Sequence, residues 1–436
     1  MADQISTKPA SGTRDFLASE MAIRNDAFAT IRRVYESHGF EPLETPAFER
    51  IEVLTGKYGE EGDQLIFKIL KRGDKAATGE ADMALRYDLT VPLARVVARY
   101  GSQLPTPWKR YQISPVWRAD RPGHGRFREF YQCDADVVGS TSHLAEVTAV
   151  SAATDALVAL GLEGFKVRIN SRKALSGLIE SYGVPESLGV ETLTALDKLD
   201  KIGVDGVAKE LVGRGLPGDV VAALSADLGS DDLAGLARER LATTEAGREG
   251  LAEVDQIVDA LGDNLAGGSL VFDPVLARGL GYYTGPVFEV VHEGLDATIA
   301  GGGRYDGLVG MFSGKDVPAT GISLGIERIL VILAEQQTAA LAAPDVLVTI
   351  MDDEGASDSL AVAATLRNAG ISADVFAGTD KLGKQFKYAD RRGVRHAVIR
   401  GSDERAAATV SVKDLVSGEQ STIPLTDLVD HLKRAL

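Results

Sequence analysis

Between residues 19 and 37 the apolar side chains Ala27, Ile31, Val34 and Tyr35 fall at i, i+4, i+7 and i+8, which is one stripe of a helix. Gly39 is placed to end it. Residues 40–48 contain two prolines, which forbid helix and predict an edge or interface strand. Short extended runs recur at 84–88, 109–117, 126–138 and 286–291, with a helix near 143–160 among them. The pattern predicts an α+β core, an antiparallel sheet with flanking helices.

After Val167-Arg168-Ile169-Asn170 the character changes. Residues 171–264 read as helices broken by glycines, with Ala174, Leu175, Leu178, Ile179 and Tyr182 at helical spacing. Strand-like sequence returns at 270–275 and 286–291, and a last helix gathers Ile326, Ile329, Leu330 and Leu333 on one stripe. Residues 336–343 read as a linker. Beyond it the apolar runs 345–350, 372–376 and 396–399 alternate with helical segments 357–369 and 382–392, as in a small α/β domain.

Residues 126–137 read RFREFYQCDADV. Strand side chains alternate between faces. One face collects Phe127, Glu129, Tyr131, Cys133, Ala135 and Val137, mostly apolar and suited to a core. The other collects Arg126, Arg128, Phe130, Gln132, Asp134 and Asp136, running from cation through an aromatic ring to carboxylate. Arg128 and Asp136 would lie roughly 26 Å apart in extended chain, enough for a triphosphate nucleotide and a small ligand end to end. Arginines can clamp phosphate oxygens. Phe130 can stack on a base, and Gln132 and Asp136 can accept hydrogen bonds from an ammonium or an imidazole. A solvated outer face would show the same alternation. The adjoining Val116-Trp117-Arg118 and loop ADRPGHG form a hairpin that would deliver Arg118 to the same face.

Asp88 and Thr90, in LRYDLTVP, suit either a helix cap or the holding of an α-ammonium group. In RGLGYYTG, which begins at Arg278, an extended backbone would send Tyr282 and Tyr283 to opposite faces. The segment AGGGRYDGL at 300–308 lacks the GxxxxGK[ST] of a P-loop and reads equally as a turn between strands. Gly321 and Gly325 leave room for a flat ligand with Arg328 across it; helix packing with a solvated arginine would look alike. The six histidines form no HxxxH or HxH pair, so no protein-built metal site is expected.

Composition narrows the setting. The 436 residues suffice for two to four domains. No long apolar run predicts a membrane span, and residues 1–9 lack the apolar core of a secretory signal. The single cysteine, Cys133, permits no internal disulfide and no CxxC zinc site, which is compatible with the cytoplasm. The net charge of −16 disfavours indiscriminate nucleic-acid binding, so an RNA partner would need local basic patches. Residues 109–128 carry Lys109, Arg110, Arg118, Arg121, Arg126 and Arg128 against Asp120. Residues 381–400 carry Lys381, Lys384, Lys387, Arg391, Arg392, Arg395 and Arg400 against Asp390, where a solvated face is an equal explanation.

The set LRYDLTVP, VWRADRPGHGRFREFYQCDAD, ARGLGYYTG, GGGRYDGL and GISLGIERI resembles the histidyl-tRNA synthetase family of class II aminoacyl-tRNA synthetases, and the likeness extends from GTRDF near the start to the C-terminal α/β segment. The resemblance implies a discontinuous catalytic domain (1–170 and 265–336), a helical insertion (171–264) and an anticodon-binding domain (344–436). It implies attack of histidine's carboxylate on the α-phosphate of ATP, then transfer of the acyl group to the terminal ribose of tRNA(His). Carried over position by position, Arg118 and Arg278 act at the transferring phosphate. Asp120, Arg126 and Arg128 make further ATP contacts, with adenine between Phe130 and Arg328. Asp88, Thr90 and Gln132 hold the α-ammonium, Asp136 and Tyr283 read the two imidazole nitrogens, and Tyr282 is a further histidine-binding position. Mg2+ would accompany ATP through phosphate oxygens. Lys384, Lys387, Arg391 and Arg392 would touch tRNA. A cytoplasmic homodimer, joined near 40–48, completes the implied picture. The chain departs from the family at Gly281, often a larger residue, and at Ser323, often glycine. The rival is the non-catalytic regulatory subunit of ATP phosphoribosyltransferase, which shares the catalytic fold. Retention of Arg118, Arg278, Tyr283 and Arg328, with about 95 residues beyond the linker, argues against it.

Overall fold

The computed structural model describes residues 5–436 apart from 124, 263–264, 278–280, 293–294 and 337–342, and apart from the side chains of 59–61, 295–297 and 335–336. Arg278 therefore lies outside the described residues, as does most of the linker at 336–343. The chain divides into two compact units, 1–16 with 23–337 and 17–22 with 338–436.

In the first unit the strands are β1 (Glu41–Pro42), β2 (Phe48–Arg50), β3 (Lys68–Leu70), β4 (Ala81–Leu85), β5 (Trp108–Trp117), β6 (Glu129–Val138), β7 (Phe165–Ser171), β8 (Gly268–Phe272), β9 (Pro286–His292), β10 (Leu295–Arg304) and β11 (Ala319–Leu324). Eight of them form one sheet in the order β1-β5-β6-β11-β10-β9-β7-β8, and β2, β4 and β3 form a small second sheet. The inner ladders of the large sheet are antiparallel; β1–β5 and β7–β8, at its two ends, are parallel. Within residues 40–48 the edge pairing on β5 is two residues long, Glu41–Pro42, and Phe48 opens β2; Pro42 and Pro46 have no N–H with which to extend the ladder.

One face of the large sheet is covered by helices. Ala27, Ile31 and Tyr35 of helix Ala18–Ser37 are buried against Cys133, Ala135 and Val137 of β6. The helix ends before Gly39, whose φ of 76° reverses the chain. Helix Leu144–Ala159 adds Ala149, Ala153 and Leu157, and helix Ile326–Gln336 adds Ile329 and Leu333. Each such Leu or Ile contributes about 1.5–3 kcal/mol on burial. The apolar half of the β6 alternation is therefore core, which leaves its polar half to face the other way.

Between β7 and β8 six α-helices among the described residues, from Arg172–Ser181 to Glu245–Leu261, build a core of their own around Leu175, Leu178, Leu193, Leu211, Leu224 and Leu241. The Ser171 hydroxyl caps the first of them by accepting from the Lys173 amide at 3.2 Å. The second unit carries β12 (Val346–Val348), β13 (Ala373–Val375), β14 (His396–Ile399), β15 (Thr409–Asp414) and β16 (Gln420–Pro424), in the order β13-β12-β14-β15-β16. Its parallel strands are short buried runs packed by helices Ala356–Asn368 and Leu428–Ala435. No described helix is long and apolar enough to cross a membrane.

Candidate active site

The floor of the site is set by register. In the ladder around β6, Asp136 pairs with Arg110 on β5 and with Gly321 on β11, while Asp134 pairs with Gln112 and Ser323. Arg110 Nη2 consequently sits 2.9 Å from Asp136 Oδ2, both side chains buried. Tyr305, just past β10, donates its hydroxyl to Asp136 Oδ1. A Cβ at position 321 would overlap that same oxygen, so the glycine is what makes room for the carboxylate. Burial raises the pKa of Asp136, and Arg110 and Tyr305 oppose the rise. Burial, reinforced by the neighbouring Asp136, pushes Asp134 up to about 7 against the pull of Arg110 and Ser323.

Beside this floor lies a second carboxylate corner. Asp88 Oδ1 accepts from the Val91 amide at 3.1 Å and from the Tyr58 hydroxyl at 3.0 Å, and its Oδ2 accepts from Tyr282 at 3.4 Å. Asp88, one residue ahead of the N-cap Leu89, satisfies a first-turn amide of helix Thr90–Tyr100 and is also part of a cavity wall. Burial raises its pKa, opposed by the Val91 amide and Arg118. Gln132 Nε2 donates to Ser323 Oγ at 3.0 Å, and among the described residues its buried Oε1 has no hydrogen-bond partner.

Toward the start of β6 the charge changes sign. Arg118 donates from Nε to the Tyr87 carbonyl at 3.0 Å, with its guanidinium 5.2 Å from the centre of the Phe130 ring. Arg126 pairs with Asp120 at 2.6 Å. Arg328 donates to the Thr298 carbonyl. These groups share one cavity of about 470 Å³, whose walls bring together Asp88, Thr90, Gln132, Asp136, Tyr282 and Tyr283 at the carboxylate end with Arg118, Asp120, Arg126, Phe130 and Arg328.

Several expectations are corrected. β6 begins at Glu129, so Arg126 and Arg128 precede the strand and do not share its alternation. Arg128 is not in the cavity wall; its guanidinium donates to the carbonyls of Asp120 and Ser11. Tyr282 and Tyr283 do not part to opposite faces: the chain turns there, the rings meet edge to face at 5.1 Å, and both line the cavity. The glycines 301–303 are no turn; they lie inside β10, paired on both sides. The basic run 109–128 is not one continuous surface patch: Lys109 donates to the His38 carbonyl and Arg110 is buried, while Arg121 and Arg126 are exposed. In 381–400, Arg400 is buried against Asp358, and Lys384 and Arg395 meet Asp380 and Asp414. Lys384, Lys387, Arg391 and Arg392 are exposed.

Some wall and support residues escaped the sequence reading: Arg110, Tyr305, Tyr58, Glu327 and, from the helical segment, Lys201. Only Arg110 left a local signal, as Arg110, Gln112 and Ser114 fall on one face of β5 while Tyr111 and Ile113 fall on the other. Among the described residues no group of three or more His, Cys, Asp or Glu gathers as a metal site.

Comparison with known proteins places the whole chain among relatives. The profile of a family described as histidyl-tRNA synthetase matches residues 12–329, and that of an anticodon binding domain matches 345–435. The chain is 40% identical to a histidine–tRNA ligase of Flavobacterium johnsoniae, over 97% of its length and 99% of the relative's. It is 42% identical to one of Gloeobacter violaceus, over 95% and 96%. The crystal structure of histidyl-tRNA synthetase from Nostoc sp. superposes with a TM-score of 0.78 at 35% identity, covering 99% of this chain and all of that one.

Proposed function

The chain belongs to the histidyl-tRNA synthetase family, and on that premise we propose how its cavity joins L-histidine to tRNA(His). The observation that carries the proposal is the polarity of that one cavity, with buried carboxylates and Gln132 at one end and arginines with Phe130 at the other.

ATP lies with its adenine between Phe130 and Arg328 and its phosphates toward Arg118 and Arg126. The histidine ammonium meets Asp88, Thr90 and Gln132, and the imidazole, one nitrogen a donor and the other an acceptor, meets Asp136 and Tyr283 with Tyr282 alongside. A histidine carboxylate oxygen then bonds to the α-phosphorus while the bridging bond to pyrophosphate breaks. Arg118, with Arg278 assigned on the family resemblance, offsets the charge that builds on the phosphoryl oxygens. In the second step the terminal ribose hydroxyl of tRNA(His) attacks the acyl carbon and AMP leaves. Positioning and charge stabilisation do the catalytic work. Mg2+ enters as part of the MgATP substrate, held mainly through phosphate oxygens. Asp120 supports Arg126, and Arg128 shapes the loop through the Asp120 carbonyl.

The catalytic domain on this reading is 1–170 with 265–336, interrupted by the helical insertion 171–264. Residues 344–436 receive the anticodon end of tRNA, with Lys384, Lys387, Arg391 and Arg392 toward its phosphates. A cytoplasmic homodimer, with the edge pairing of β1 near its interface, completes the reading. The test is charging of tRNA(His) with labelled histidine. Wild type is expected to charge and Gln132→Ala to lose at least tenfold in kcat/KM for histidine; a folded wild type that leaves the tRNA uncharged would refute it.

A further inference from the structure

Residues 11–16 run beside the nucleotide end of the cavity without lining it. Two sets of contacts tie them there. The first is main chain. The Gly12 carbonyl accepts from the Arg128 amide at 2.8 Å, and the Ser11 carbonyl accepts from Arg128 Nη1 at 3.3 Å. Gly12 has φ +83°, and a Cβ there would stand 2.7 Å from Arg128 Cγ and 3.0 Å from Pro122 Cγ, so only glycine suits the position. Arg128 passes the restraint on, donating from Nε to the Asp120 carbonyl at 3.1 Å, and the Asp120 carboxylate pairs with Arg126.

The second set is side chain. The Arg14 guanidinium lies 3.3 Å from the centre of the Phe127 ring, and its Nη2 is 2.5 Å from Glu327 Oε2. Glu327 also accepts from Arg24 at both oxygens and from the Tyr131 amide at 3.3 Å. Phe127, Tyr131 and Glu327 all belong to the cavity wall, and Glu327 immediately precedes Arg328. Arg24 is buried and bidentate, so it already neutralises Glu327. Arg14, a third exposed, is not needed for that charge. What it adds is a link between the Glu327 corner and the hairpin that carries Phe127.

We propose that residues 11–16 form a strap, fastened by Gly12 and Arg14, that positions the ATP-binding residues Asp120, Arg126, Phe127 and Phe130 against the Glu327–Arg328 corner. Arg14 is then a positioning residue for ATP, acting through Phe127 and Glu327. The proposal rests on the assignment of this end of the cavity to ATP. A hairpin displaced by about 1 Å can cost roughly 100-fold in rate, and the strap holds it at both the backbone and the ring.

The test is pyrophosphate-exchange kinetics with ATP and histidine varied in turn, together with calorimetric ATP binding, on the full chain. Arg14→Ala is expected to raise the KM and Kd for ATP about tenfold and to leave the histidine KM within twofold. Arg14→Lys, which keeps the charge but not the planar stack on Phe127, recovers part of the loss. Gly12→Ala, remote from Glu327, shows the same ATP-selective defect, and it decides the matter if Arg14→Ala fails to fold. Unchanged ATP affinity in both variants, or equal loss for ATP and histidine, overturns the strap. Wild type that binds ATP but exchanges no pyrophosphate would instead overturn the reaction assigned above while leaving the strap to be judged on ATP affinity.

Discussion

Arg110 and Asp136 face each other across β5 and β6, with Nη2 and Oδ2 2.9 Å apart and both side chains out of reach of water. Asp136 needs this partner, because a buried carboxylate without one would take up a proton or draw in water. With Tyr305 on its other oxygen it is held in one orientation at the cavity floor. Arg110→Ala should cost about 3–5 kcal/mol of stability, the usual penalty for stranding one member of a buried pair, and should raise the histidine KM. Urea unfolding checks the first effect. A loss under about 1 kcal/mol would show that the pair does not hold Asp136 in place.

Asp134 gives a pH signature. Its pKa in the folded chain, about 7, lies above the ordinary 3.8 because of burial and the adjacent Asp136. The folded state therefore binds more protons than the unfolded state between those values. The stabilising contribution is full below about pH 4 and is lost as pH rises through about 7. Asp134→Asn should be more stable than wild type at pH 8, and the gap should close toward pH 4 at up to about 1.4 kcal/mol per pH unit. Melting curves at pH 5 and pH 8 measure it. A gap that stays the same between pH 5 and pH 8 would mean that Asp134 is ionised across that range.

Gly321→Ala places a methyl group where Asp136 Oδ1 now lies. The carboxylate must swing away, breaking its bond from Tyr305. The histidine KM is expected to rise at least about tenfold with the ATP KM unchanged. Steady-state exchange kinetics distinguish this from a general loss of folding, which would lower the active fraction without changing either KM.

On helix Leu382–Arg391, Lys384, Lys387 and Arg391 recur at i, i+3 and i+7 and share a face. Replacing all three by alanine should weaken tRNA charging and flatten its dependence on salt, because fewer counterions are released on binding. Pyrophosphate exchange, which needs no tRNA, should be unaltered. Equal charging by variant and wild type at 150 mM salt would remove this face from the tRNA surface.

The contrast between β6 and its surroundings shows what sequence can carry. Alternation within one strand is local, so Phe130, Gln132, Asp134 and Asp136 were legible as a polar face and Cys133, Ala135 and Val137 as core. The helix stripes at Ala27–Ile31 and Ile326–Leu333 were legible for the same reason. Tyr305 was not, because β6 reaches it only through β11 and β10, which are distant in sequence; Arg110, one hairpin away, left only a polar position on β5, and the register that sets it against Asp136 is not written in either strand alone. Arg128 was misplaced because nothing local marks where a strand begins: the backbone bond to Gly12, more than a hundred residues away, holds it ahead of β6. Charge runs misled similarly, since Arg110 and Arg400 are paired inside the fold with carboxylates outside their own runs.

The most direct measurement is ATP–pyrophosphate exchange by the full chain with each of the twenty amino acids in turn. A cavity that holds an ammonium at Asp88 and Gln132 and an imidazole at Asp136 and Tyr283 predicts exchange with histidine at least about 100-fold above any other amino acid. Exchange driven equally well by a different amino acid, or by none, would contradict it.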